Sequence, residues 1–376
     1  MCTPLSHPSF EGSPLSTLTL DQFGPFPTEA EEIWRYSRIG KFDPSRYGRI
    51  EQVHSTVDAP AGVGRTAAIA DADAILADDT DAFTRVARAG LAEPIVLDVA
   101  AGVTVAGPVR IAHHVSSDAA AVTGRVVIRL GANAELTVIE RVRSDDVDAL
   151  YLPMVELELG DGARLRYVTV QELGPRVWQV GMTASRTAHD ASLRSMAVSL
   201  GGRVARSRID ASMMGPGAYN ELLAVYFGED EQVHDFRTVQ RHAAPRTTSE
   251  LLFKGAVEDR ATSVYSGLIR IEPNGKGSVA NQANRNLILS ADATAESVPN
   301  LEIENNDVRC SHASAVGPIA EDERYYVESR GVAPEVAERL IVLGFFNDLL
   351  QRIPDPELVV QLGDAVRAKF ERRSHR

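Results

Sequence analysis

In residues 126–139, VVIRLGANAELTVI, a short polar turn separates two runs of strand-forming residues. Residues 155–170, VELELGDGARLRYVTV, repeat this pattern, and Gly131 of the first turn recurs as Gly160, 29 residues later. A repeat of this kind predicts coils that stack into a β-solenoid. A β-sandwich also uses short strands and tight turns, so it is the alternative that the repeat leaves open.

The strand-rich texture extends from about residue 94 to residue 317, where short β-branched and aliphatic runs are divided by Gly, Asn and Asp. Weaker copies of the turn occur at residues 273–275 and 290–293. Within residues 155–159 apolar side chains alternate strictly with glutamates. This alternation predicts that one face of the strand is buried and that the other faces solvent. We therefore predict a mainly β core over residues 92–330.

The N-terminal region, residues 1–91, mixes prolines with two patches that favour helix. The first patch covers residues 28–36, where Thr28 can cap and Glu31 can reach back to it. The second covers residues 71–89 and is rich in alanine. This region is therefore predicted to be loosely helical.

The C-terminal region, residues 331–376, changes to helical spacing of its apolar residues. Pro334 suits the first turn of one helix, and Asp355 can cap a second helix that begins at Pro356. This hairpin either packs against the end of the solenoid or forms a docking surface for a partner. The spacing of apolar residues does not distinguish the two.

Composition excludes several classes of protein. The chain has 376 residues with 39 basic and 52 acidic side chains, and a net charge of −13 argues against binding to nucleic acid or anionic membranes. Two cysteines, Cys2 and Cys310, cannot form a disulfide framework, and the N-terminus lacks a signal-peptide pattern, so we expect a cytoplasmic protein. The longest apolar run, residues 340–346, is too short for a membrane-spanning helix.

Common catalytic motifs are missing from the sequence. It contains no phosphate-binding loop of the Walker type, no His-Glu-x-x-His and no Gly-x-Ser-x-Gly, so we expect that the protein is not an enzyme. His113 and His114 are adjacent and would point to opposite faces of a strand, which prevents them from binding one ion together. A β-helical enzyme acting on polysaccharide is the rival class, but aromatic residues make up only 6% of the chain.

Cys310 and His312 are the candidate metal ligands. They lie two residues apart near the end of the strand-rich region, so on a regular strand they share a face. A thiolate and an imidazole suit iron or zinc, although a buried cysteine beside a hydrogen-bonded histidine is the structural alternative. An iron-sulfur cluster usually takes four protein ligands, and this chain offers one central cysteine. Any cluster here must be shared or transient.

Residues 242–346 contain a series of motifs in a fixed order: HAAPRTTS (242–249), FKG (253–255), YSG (265–267), NQANRNLILS (281–290), PNLEI (299–303), DVRCSH (307–312) and YYVESRG (325–331). Two further stretches occur near the N-terminus, FPT at residues 26–28 and EEIWRY at residues 31–36. With these motifs the sequence resembles the SufB/SufD family of iron-sulfur cluster scaffold proteins.

The resemblance implies a right-handed parallel β-helix in a non-catalytic scaffold. It further implies pairing with SufB through β-helix edges and docking of the SufC ATPase on the helices of residues 334–376. A nascent cluster or iron would form between SufB and this chain, with His312 as a ligand and Cys310 as a weaker candidate. A purely structural partner without metal contact is the alternative, and whether a reduced flavin binds the complex stays open.

Within the family, the Cys310-Ser311-His312 run and the absence of further cysteines resemble the SufD branch more than the SufB branch. One position departs from the family pattern, which usually places glycine after the histidine. Here that residue is Ala313, so the backbone at this position must be one that alanine can adopt.

Overall fold

A computed structural model describes residues 20–65, 81–90 and 93–373. Three parts of the predictions lie outside the described residues: Cys2, most of the helical patch at residues 71–89, and residues 374–376 of the C-terminal helical region. The rest of that patch forms a helix whose first turn is capped by Asp81, which accepts a hydrogen bond from the backbone N–H of Thr84 at 3.0 Å.

The described residues form nineteen strands and four α-helices. The strands are β1 (Ile50–Gln52), β2 (His54–Asp58), β3 (Gly64–Arg65), β4 (Ile95–Val99), β5 (Val109–Val115), β6 (Ala120–Leu130), β7 (Glu135–Ser144), β8 (Ala149–Leu159), β9 (Arg164–Glu172), β10 (Trp178–Thr187), β11 (Ser192–Ser199), β12 (Val204–Met213), β13 (Tyr219–Gly228), β14 (Val233–His242), β15 (Thr248–Val257), β16 (Thr262–Ile271), β17 (Val279–Ile288), β18 (Thr294–Ile303) and β19 (Arg309–Gly317). The helices are α1 (Ala82–Ala89), α2 (Glu321–Glu328), α3 (Pro334–Leu350) and α4 (Pro356–Arg373).

The strands build a β-solenoid of about eight turns. From β4 onward, even-numbered strands form one sheet and odd-numbered strands form a second, and the neighbours within each sheet are parallel. Each coil therefore contributes one strand to each sheet. Sandwich sheets are antiparallel, so the predicted mainly β solenoid is confirmed and the sandwich alternative is wrong. The strand-rich stretch predicted for residues 94–317 matches β4 through β19 closely.

In each of the six coils from β6–β7 to β16–β17, one turn carries a residue with positive φ, and these residues stack along the solenoid. Each donates its N–H to a carbonyl of the next coil, as from Asn133 to Asp161 at 2.7 Å. At Gly162 an added Cβ would lie too close to Oδ1 of Asn133, so a larger residue there would require the Asn133 side chain to move. The stacked residues are Asn133, Gly162, Asp190, Gly217, Arg246 and Gly277.

The N-terminal layer, residues 20–47 together with α1, covers the outer face of the even-numbered sheet. Trp34 and Phe83 are buried in this layer against the sheet. Thr28 donates its backbone N–H to the Glu31 carboxylate at 3.0 Å, which is the predicted back-bond, but only short 3₁₀ turns follow in place of a longer helix.

The C-terminal helices α3 and α4 cover the outer face of the odd-numbered sheet. Phe346 and Leu362 are wholly buried in a cluster that also contains Val198 and Phe227 of the sheet. The predicted cap is present, because Asp355 accepts the N–H of Leu358 at 3.1 Å. The hairpin therefore packs along the side of the solenoid and not on its end, which corrects the position expected from sequence.

Helix α2 was not predicted. It follows the last strand, within the part of the chain assigned to the core, and the division at residues 91 and 330 stays a prediction. Among the helices of the described residues, none is both long enough and apolar enough to span a membrane.

Candidate functional site

The candidate site lies on the last coil, formed by β18 and β19. Strand β18 is the terminal strand of the even-numbered sheet, and β19 is the terminal strand of the odd-numbered sheet. Among the described residues each pairs on one side only, β18 with β16 and β19 with β17. The backbone N–H and C=O groups along both outer edges are therefore available to another strand.

The hydrophobic core is also open at this end, which we call the open end. Ile269 and Ile271 of β16 are wholly buried, whereas Leu301 and Ile303, which pair with them in register on β18, are 36% and 42% exposed. Positions that form the core in one coil thus face solvent in the next. Apolar surface and unpaired strand edges occur together here, as expected of a surface that a partner covers.

Cys310 and His312 both stand on β19, opposite Ala280 and Gln282 of β17. These two partners are buried, so Cys310 and His312 belong to the inward-facing column of the last coil. Cys310 packs against Ile269 and Ala280, and burial raises the pKa of its thiol. His312 is exposed. The structure thus places the two predicted residues on one face, with the imidazole accessible and the thiol partly covered.

Gln282 lies directly below His312 and was not singled out from sequence. It is only 2% exposed, and neither atom of its amide has a hydrogen-bond partner among the described residues. A buried amide without partners costs free energy, so a polar group or water is expected to reach it. The alternation in the NQANRN motif, which places Gln282, Asn284 and Asn286 on one face, was the available signal.

A satisfied polar network begins next to Gln282. Asn286 accepts hydrogen bonds from the hydroxyls of Tyr226 at 2.8 Å and Ser263 at 2.9 Å, and it donates to Asn284. Asn284 in turn donates to Tyr226 at 3.3 Å. The interior of the solenoid therefore becomes polar toward the open end, where the amides of Asn284 and Asn286 are hydrogen-bonded and that of Gln282 has no partner among the described residues.

The described histidines inside the solenoid are less suited to bind metal. Both His234 and His242 are wholly buried, so an ion from outside cannot reach their rings. His234 is hydrogen-bonded to Ser199 at 2.9 Å, and His242 is held between Thr247 at 2.7 Å and Ser249 at 2.9 Å. The same burial lowers the pKa of His234 to about 3 and that of His242 to about 4. His113 is buried and His114 is exposed, which confirms that they point to opposite faces.

No group of three or more potential metal ligands occurs among the residues that the structure describes. The donors on the last coil could supply one imidazole and, with rearrangement, one thiolate. This set cannot complete the coordination of iron or of a cluster, which requires further ligands from elsewhere. Ala313 lies within β19 and is not among the residues with positive φ, so the departure from glycine is accommodated in regular strand.

Comparisons with known proteins agree with this architecture. The sequence model for the SUF system FeS cluster assembly, SufBD core domain, matches residues 113–345. The chain is 31% identical to an iron-sulfur cluster assembly SufBD family protein of Mycobacterium leprae over 95% of each chain. It is 34% identical to a SufBD family protein of Mycobacterium tuberculosis, covering 72% of this chain and 67% of the relative. It is 28% identical to the iron-sulfur cluster assembly protein SufD of Bacillus subtilis, covering 73% and 64%.

Proposed function

Since the chain belongs to the SufBD family of iron-sulfur cluster assembly proteins, we propose that it is a SufD-type scaffold subunit that pairs with SufB through its open end. The observation that carries this proposal is that both edge strands, the exposed core positions and His312 lie together on the last coil. A nascent cluster or iron would be held between the two subunits as cargo.

Pairing with a second β-helix would both hydrogen-bond the free strand edges of the open end and cover its exposed apolar side chains. A parallel or antiparallel strand added to β18 or β19 would bond the free edge groups, and its side chains would cover Leu301 and Ile303. The exposed apolar side chain of Val316, which pairs with buried Asn286 of β17, extends the same surface. A SufB β-helix that ends in a similar open coil is a partner of suitable shape.

His312 is the ligand that this chain would supply. One ring nitrogen would bind iron, and the other would need a hydrogen-bond partner to fix its tautomer. Cys310 is less suited, because its thiol is partly covered and burial disfavours the thiolate that binds metal. The remaining ligands would come from SufB, since the described residues contain no cluster of three donors.

SufC would dock on the surfaces of the C-terminal helices that do not face the sheet. Leu340 and Val360 are 49% and 64% exposed, although other residues of α3 and α4 are buried against the solenoid. Tyr325 and Tyr326 of α2 add exposed aromatic area beside them. Val360→Asp and Leu340→Asp are therefore sharper tests of docking than deletion of the hairpin, which would expose the outer face of the sheet.

The direct test is co-purification with SufB and SufC, followed by anaerobic reconstitution and absorbance in the iron-sulfur charge-transfer region. His312→Ala is expected to leave the complex intact and to lower the cluster signal severalfold. The matched control is His114→Ala, another exposed histidine on an odd-numbered strand but near the opposite end of the solenoid. An unchanged signal with His312→Ala would remove the ligand role and leave the purely structural partner.

The proposal assigns no catalytic step to this chain and places it in the cytoplasm with the rest of the assembly. Its part is to bind, orient and shield the cargo, while nucleotide hydrolysis belongs to SufC. Turnover of a glycan by the purified chain would contradict this assignment in favour of the β-helical enzyme.

A further inference from the structure

A cavity of about 70 Å³ lies inside the solenoid, between the inward faces of strands β7 to β12 and remote from the last coil. We call it the middle chamber. Side chains alternate between the two faces of a strand, so the walls of the chamber come from every second residue of these strands.

The middle chamber exists because small residues occupy inward positions on both sheets. In the even-numbered sheet, Gly181 pairs with Ser207, and the next residue of that row is the bulky Phe236 of β14. In the odd-numbered sheet, Thr169 pairs with Ala197. Side chains of this size do not meet in the middle of the solenoid, so space remains between the two sheets.

The middle chamber also lies between two parts of the hydrophobic core. One cluster of buried residues fills the first coils and includes Leu157 and Leu165. A second cluster fills later coils and includes Leu222 and Phe253. Ala197, which packs against the second cluster, is partly accessible although it faces inward. An inward-facing side chain with accessible surface borders a cavity, so apolar packing is interrupted here.

Three hydroxyl groups of the lining lack partners. Thr169, Thr183 and Ser207 face inward and are partly accessible. Their hydroxyls form no side-chain hydrogen bond among the described residues, and each is open to the space of the chamber. A hydroxyl enclosed by protein costs free energy unless water or a ligand bonds to it. The lining therefore calls for a hydrogen-bonding occupant.

Glu140 adds a carboxylate to the same lining. It is 7% exposed, accepts from the hydroxyl of Tyr167 at 2.5 Å, and lies 3.2 Å from Nε2 of His113. A carboxylate has about four acceptor sites, so these contacts leave acceptor capacity. An imidazole stands beside the carboxylate, so the lining offers hydrogen-bonding capacity without a clear excess of either charge.

We propose that the middle chamber is a hydration site, which binds a cluster of water molecules on the Glu140 carboxylate and on the hydroxyls of Thr169, Thr183 and Ser207. A site needs at least about 10–15 Å³ to hold one water molecule, so this cavity has room for a cluster. The two parts of the core are then joined through a hydrated layer. This inference is independent of the scaffold role, because it involves neither the last coil nor a partner subunit.

A crystal structure of the full chain, at a resolution that shows ordered water, tests the proposal directly. We expect at least two water molecules in the middle chamber, one within hydrogen-bond distance of Glu140 and one of Thr183 or Ser207. A chamber without solvent density would overturn the proposal. Density for an ion or an organic solute would overturn the assignment to water.

Xenon provides a test in solution, because it binds in dry apolar cavities. Methyl NMR of the full chain under xenon pressure, with Ala197 as the reporter, should show no saturable shift if water fills the middle chamber. A saturable shift of the Ala197 methyl would show that the chamber is dry and overturn the proposal.

Thr183→Val tests the bonds to water, since it removes a hydroxyl and keeps the shape of the side chain. Thr137→Val is the matched control, because Thr137 lies between the core residues Leu136 and Val138 of β7 and so faces outward. We expect a lower urea midpoint for Thr183→Val than for the control, since bound water loses a partner. In a dry chamber the same change removes an unpaired hydroxyl, so an equal or higher midpoint would overturn the proposal.

Discussion

At the first end of the solenoid, the chain covers its own core, whereas at the last end it does not. Strands β2 and β3 run antiparallel to β5 and β4 and complete the edges of the two sheets there. Val57, Ala59 and Val63 pack over the core of the first coils. On the last coil, no further strand in the described part of the chain pairs with β18 or β19, and core positions such as Ile303 are exposed.

The difference indicates where the molecule needs a partner. Stacked coils expose a core and two edges at each end, and solenoids require caps there for stability in isolation. This chain provides the cap at the first end from its own residues 54–65. The same exposure at the last end, beside an accessible histidine, therefore favours assembly with another β-helix over aggregation of an unprotected edge.

The largest effect is expected from equivalent substitutions in adjacent coils. Ile271→Ala removes a wholly buried side chain and should lower the free energy of unfolding by about 2–5 kcal/mol. Ile303→Ala, at the position paired with Ile271 on β18, should lower it by less than about 1 kcal/mol in the isolated chain. Urea denaturation followed by circular dichroism measures both values, and equal losses would mean that the last coil is packed as tightly as the interior.

A second pair of substitutions compares a buried amide that is hydrogen-bonded with one that has no hydrogen-bond partner among the described residues. Asn286→Leu breaks hydrogen bonds with Tyr226, Ser263 and Asn284, and should destabilise the chain by about 1–3 kcal/mol. Gln282→Leu removes an amide that has no partner and should be neutral or stabilising by up to about 1 kcal/mol. If Gln282→Leu is as costly as Asn286→Leu, ordered water or another group already satisfies Gln282.

A smaller effect on the free energy of unfolding is expected when the pH is lowered. His234 and His242 have pKa values of about 3 and about 4 in the folded chain, against about 6.5 when unfolded, because burial disfavours their charged forms. The unfolded chain therefore binds more protons below about pH 6.5, and stability falls as the pH decreases toward the folded values. At pH 5.5 each histidine should contribute a loss of about 1 kcal/mol relative to pH 7.5.

Urea denaturation at the two pH values measures that loss, and His242→Asn provides the comparison. The variant should show a smaller difference between pH 7.5 and pH 5.5 than the parent chain, whatever its absolute stability. An equal difference in both proteins would show that His242 is not the source of the acid sensitivity.

The solenoid fold could be predicted from the sequence because both the amino acids and the geometry of its turn are repeated. Gly160 and Gly162 mark a turn in which Gly162 requires a backbone that other residues rarely adopt. The start of α3 at Pro334 and the cap at Asp355 were readable for a similar reason, since helix ends have residue-specific chemistry.

Other features depend on contacts that no local pattern records. Helix α2 lacks a side-chain cap at Ala320 and has no buried residues, so neither of the usual helix signals marks it. The apolar spacing of α3 and α4 shows that they pack, but not that they pack on the side of the solenoid. The isolation of Gln282 depends on the register between β17 and β19, which only the structure supplies.

Hydrogen–deuterium exchange of the full chain, alone and mixed with SufB, tests whether the open end pairs with SufB. We predict slower exchange across residues 294–303 and 309–317 when SufB is present, with β2 at the first end unchanged. If a stable complex forms but the slower exchange is found at β2, or anywhere other than the last coil, the open end is not the surface that pairs with SufB.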